Sequence, residues 1–130
     1  MDWDEADLFT VPLLDGSFGL GQVCEVLEDG ALVLLTDRRG TVGGPVGVSE
    51  ITSLVRVPRD PLDTGQWKVE TFVALPRPRS AIESRYAADG VQDPAVVEAF
   101  LSAWHGLLPW DYFPAGVFDG LLYRGRARPG

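Results

Sequence analysis

Apolar and polar positions alternate with a period of two in short runs along the first half of the chain, and turn residues break the runs. This is the pattern of half-buried strands. Leu8 to Leu13 predicts a first strand, and the "LDGS" that follows carries an Asp15-Gly16 pair suited to a tight hairpin turn. Phe18 to Leu27 predicts the return strand, Glu28-Asp29-Gly30 a second turn, and Ala31 to Thr36 a third strand. The run "DRRGTVGGPVG" holds four glycines and a proline, so it reads as a loop. Ile51 to Val57 predicts a fourth strand. After "PRDPLDTG", the segment "QWKVETFVAL" predicts a fifth, with alternation at Trp67, Val69 and Thr71.

The texture changes near residue 76. "PRPRSAIESRYAADGVQ" is irregular, and Asp93-Pro94 then offers a capping carboxylate with proline at the first helical position. Val96, Val97, Phe100, Leu101 and Trp104 share one helical face, and Gly106 can end the helix, which predicts a helix over about 93–105. The aromatic, apolar tail suggests one more short helix around Gly116 to Tyr123. The expected fold is α+β and mainly β. A β-meander over 1–75, curled or closed into a small barrel of about five antiparallel strands, is followed by a C-terminal helix and an aromatic tail, all in a single domain over 1–130.

Composition adds little to this outline, but charge does. At 130 residues, with 45% hydrophobic and 23% charged residues, the chain can bury a core without staples. It has no apolar run of membrane-spanning length, and its acidic "MDWDEADLF" start is unlike a secretory signal, which together point to the cytoplasm and away from membranes. A single cysteine, Cys24, rules out an internal disulfide and fits a buried strand position. The net charge is −8, and it is unevenly placed. Residues 1–37 hold nine carboxylates and no Lys or Arg, while the remaining 93 hold ten acids and eleven bases. Such a field repels nucleic acid and speeds association with basic partners.

No catalytic site, metal site or cofactor is expected. The glycines of "GSFGLG" (Gly16, Gly19, Gly21) run in the reverse of the dinucleotide-binding order and lead into a strand, with no lysine before Lys68. They read as architecture, permitting strong coiling or close packing of a ring. His105 is the only histidine and ends the expected helix. A hydrolytic role requires it to lie within hydrogen-bond reach of Cys24 or a serine, and of a carboxylate. One His and one Cys among scattered acids give no metal-ligand spacing. Trp110 and Tyr112 in "WDYF" either anchor a partner or clamp the tail onto the sheet.

The segments "DLFTVPLLDGSFGLGQVCEV" and "GQWKVETFVALP" resemble the bacterial immunity protein 26 family, associated with polymorphic toxin systems. The matching positions include Asp7, Pro12, Asp15, Gly16, Phe18, Gly19, Gly21, Gln22, Trp67 and Lys68, and the similarity spans roughly residues 6–76. Ala6 stands where that family often has glycine. The resemblance implies a non-enzymatic protein that binds and neutralises a cognate toxin. The acidic first third adds the expectation of a basic toxin domain met by Asp2, Asp4, Glu5, Asp7, Glu28 and Asp29, which mimic phosphates. The alternative is a ligand-binding or regulatory β-domain whose pocket has walls from Phe18, Trp67 and Trp104.

Overall fold

The computed structural model describes residues 3–77, 90–114 and 116–129. Asp2 and most of the irregular segment, residues 78–89, lie outside the described residues. Five antiparallel strands form one curled, unclosed sheet: β1 (Asp7–Pro12), β2 (Phe18–Leu27), β3 (Gly30–Arg39), β4 (Ile51–Pro58) and β5 (Lys68–Phe72). A short helix α1 (Asp60–Asp63) precedes β5, and the main helix α2 (Pro94–Trp104) follows it. No described helix is long and apolar enough to cross a membrane.

The first four strands form a meander, but the spatial order is β4-β3-β2-β1-β5, so the fifth strand pairs with β1 and not with its predecessor. Trp67 explains the crossover. It is fully buried, and its ring stacks on Phe9 of β1 at 5.5 Å and 6°, which draws the start of β5 to the β1 side. Its indole N–H donates to Glu98 of α2 at 2.9 Å, so one side chain ties the crossover to both strand and helix.

Both faces of the sheet are covered. One face carries Phe9, Val11, Val23, Val33, Leu35 and Val55 against Trp67, Phe100 and Leu101. The other carries Leu8, Leu20, Leu32, Leu34 and Leu54, with Val46 from the glycine-rich loop and Tyr123 from the tail. Arg38 shapes that loop. Its guanidinium donates to the carbonyls of Val42, Gly44 and Pro45 at 2.6–2.8 Å and pairs with Glu50 at 2.7 Å. These bonds satisfy carbonyls that the loop cannot pair within itself.

Element ends follow local chemistry. Asp93 accepts from the Ala95 N–H at 2.8 Å and Gly106, at φ +79°, closes the C-terminus of α2. β3 continues past the expected Thr36 to Arg39, because Gly19 pairs with Arg39 and the Gly40 N–H donates to Phe18. The short helix expected around Gly116 to Tyr123 is only a 3-10 turn over Asp119–Leu121. Glycine at 116 and 120 weakens helix propensity, and Leu122 and Tyr123 bridge instead to Ser53 and Thr52 of β4.

Candidate functional site

The turn before β1, the β2–β3 turn and the end of β5 meet at one end of the sheet, as antiparallel order requires. β1 enters there beside β2, with the Ala6 N–H donating to Val23 at 2.8 Å, and Asp7 lies opposite Phe72 of β5. Asp4, Glu5 and Asp7 are held in a tight turn. The Asp4 N–H donates to the Asp7 carboxylate and the Glu5 N–H to the Asp4 carboxylate, each at 2.7 Å. Glu28 and Asp29 are exposed in the β2–β3 turn, which closes on Gly30. Only glycine fits at 30, because a Cβ there would run into the Val57 carbonyl of β4.

Sequence reasoning missed a further member of this group, Glu25. An irregularity in β2 between Val23 and Glu25 shifts the register, so Glu25 stands exposed opposite Leu32. The apolar run around it hid this position, since a bulge leaves no periodic signal. Among the described residues Asp4, Asp7, Glu25, Glu28 and Asp29 form no ion pair. Elsewhere most described carboxylates are matched: Asp15 with Arg39, Asp37 with Arg126, Glu50 with Arg38, Asp63 with Arg59, Glu70 with Lys68, and Asp111 and Asp119 with Arg128, while Asp93 caps α2 and Glu98 accepts from Trp67. The uneven charge of the sequence thus becomes a carboxylate-rich end on an otherwise largely neutralised surface.

Most of the remaining expected site residues have structural roles. Asp15 organises the β1–β2 hairpin. It accepts from the Ser17 N–H at 3.0 Å and the Ser17 hydroxyl at 2.5 Å, and pairs with Arg39. Those Ser17 bonds, with Arg39 behind them, hold its carboxyl down at about 2. Gly16 takes the positive φ of that turn, and Pro12 ends β1. Gly21 lies beneath the Phe9 ring, where a Cβ would come within 2.5 Å of Phe9 Cζ, and Gly19 lies under Leu101. Gln22 is fully buried, and its amide donates to the Ala6 and Val73 carbonyls, both at 3.0 Å, lacing the start of β1 to the end of β5.

Trp110 is committed to the aromatic cluster of the tail. Its ring lies 5.6 Å from Phe100 and 5.4 Å from Phe118, and its N–H donates to Asp119 at 2.9 Å. These contacts tie the tail to α2 rather than to the sheet, and Trp110 offers no free anchor at its N–H. Tyr112 is 58% exposed and sits at a groove of about 330 Å³ between β1 and α2, lined also by Leu14, Glu98 and Ala99. A second groove of about 540 Å³ lies between α1 and β5, with Arg59, Asp63 and Lys68 in its walls. Phe18, Trp67 and Trp104 line none of the described clefts, since Trp67 fills the core.

His105 caps α2 with a half-buried ring. Burial, and then the nearby Arg39 guanidinium, push its imidazole below the usual histidine range. It makes no described hydrogen bond to a serine or to Cys24, which is buried on the far face of the sheet. No group of three or more potential metal ligands occurs among the described residues. No family model, no curated protein and no solved structure matches the chain.

Proposed function

We propose that the protein is a non-catalytic immunity protein that binds and neutralises a cognate toxin domain, and that the carboxylate-rich end of the sheet receives a basic surface of that toxin. One observation carries this reading: five described carboxylates at that end are left without ion pairs, while those elsewhere are largely matched with arginine. Carboxylates left unpaired at one end keep their field available to a partner, and that field steers a cation-rich surface toward them. The similarity of residues 6–76 to the immunity protein 26 family supplies the expectation of a toxin as the partner.

The test is a growth rescue. The C-terminal domain of whatever protein is encoded just upstream of this gene is expressed with and without the protein, and viability is followed. Killing that the protein abolishes, and that returns when Asp4, Glu5, Asp7, Glu25, Glu28 and Asp29 are all changed to their amides, supports the reading. A toxic neighbour that the wild-type protein fails to silence overturns it.

A further inference from the structure

The two edges of the sheet are finished differently. The outer side of β4 is covered: Val91 bridges to Arg56 and Leu122 to Ser53, while Gln92 and Tyr123 donate to the Arg56 and Thr52 carbonyls. Among the described residues, the outer side of β5 is unpaired. β5 ends the strand order, no described main-chain group pairs with its outer side, and only Val69 of its five residues is part-buried. A bare edge presents main-chain donors and acceptors to any extended chain that can align with it.

The side chains along this edge restrict what can align. Phe72 is 73% exposed, the largest exposure among the described big apolar side chains, and it lies opposite Asp7 in the β1–β5 pairing. Glu70 is the extra residue of a bulge, since Leu8 pairs with Thr71 and Phe9 with Val69. The bulge and the charged Lys68 and Glu70 discourage casual pairing of flat apolar strands. A second copy of the chain is disfavoured by the net charge of −8 and by the carboxylates beside Phe72.

We infer that the outer edge of β5 is a strand-addition site for an extended basic segment of a protein partner. The main chain supplies the pairing. Phe72 covers the aliphatic stem of a Lys or Arg whose cation faces Asp7 and the Asp4 turn. This deepens the binding reading above by naming an anchor and a mode, yet it is tested without the toxin.

The experiment titrates the ¹⁵N-labelled full chain, at low salt, with acetyl-Lys-Val-Lys-Val-Lys-Val-Lys-amide and follows backbone amide shifts. Two controls are the same peptide N-methylated at either alternate set of residues, and a Glu-Val counterpart. Expected are shifts concentrated in 68–72 and 4–8, and at least about tenfold weaker binding of the Glu-Val peptide and of one or both methylated peptides. Phe72→Ala is expected to weaken binding about fivefold or more with an unchanged spectrum elsewhere, because that side chain is exposed. Both methylated peptides binding as tightly as the unmethylated one, shifts centred on residues 25–29 alone, or no shifts at all overturn the inference. Peptide binding at β5 with a failed growth rescue removes the immunity reading and keeps this one. Rescue without peptide binding does the reverse.

Discussion

Ala6 holds φ +77°, the only positive φ outside glycine among the described residues. Its neighbours fix it there. Its N–H donates to Val23, and its carbonyl accepts from the Gln22 amide and the Val73 N–H. The left-handed conformation costs an L-residue about 1–2 kcal/mol, against the roughly 0.4–1 kcal/mol of chain entropy that glycine adds to the unfolded state. Ala6→Gly is therefore expected to stabilise the protein by about 0.5–1 kcal/mol, read from urea unfolding. Gly21→Ala is expected to do the opposite. The added methyl meets the Phe9 ring on one side and the Leu34 carbonyl at 3.0 Å on the other. Since Phe9 is stacked on Trp67, the ring cannot move freely, and a loss of about 2–3 kcal/mol is expected in the same assay.

At the scale of elements, the β1–β2 hairpin depends on the ionised Asp15 side chain. Its carboxyl sits at about 2 in the folded protein against an ordinary 3.8, chiefly through the Ser17 bonds. Protonation is thus harder in the folded state. The contribution is present in full above pH 3.8 and is lost as the pH falls through that value toward 2. Melting temperatures of the wild type and of Asp15→Asn should differ above about pH 4 and converge as the pH approaches 2. Parallel curves over that range would show that Asp15 is not the group responsible. α2, by contrast, has a cap and an apolar face readable in order along the chain, and its observed limits lie within a residue of the expected ones.

At the scale of the molecule, electrostatics should govern association. Once a toxin partner is in hand, changing Asp4, Glu5, Asp7, Glu25, Glu28 and Asp29 to amides should slow association by at least about tenfold at low salt, with little effect at high salt. Changing Asp111, which already faces Arg128, is expected to leave the rate nearly unchanged. Stopped-flow association at two ionic strengths separates these outcomes. A rate indifferent to both salt and the six amides would detach charge from recognition.

The mainly-β α+β architecture, the positions of the five strands and the main helix were legible in the chain, because period-two alternation, Asp-Gly turns and an Asp-Pro cap are local signals written in neighbouring residues. The acidic bias was legible too, as nine carboxylates before the first arginine. What needed the tertiary structure was everything set by contacts between distant residues. The fifth strand joins β1 because Trp67 finds Phe9, 58 positions earlier in the chain. Glu25 joins the carboxylate end because of a register shift, and Trp110 is drawn into the tail's aromatic cluster by Phe100 and Phe118. The edge of β5 that no described main-chain group pairs, and the paired edge of β4, follow from which segments return to the sheet, and long-range burial decides that where local propensity does not.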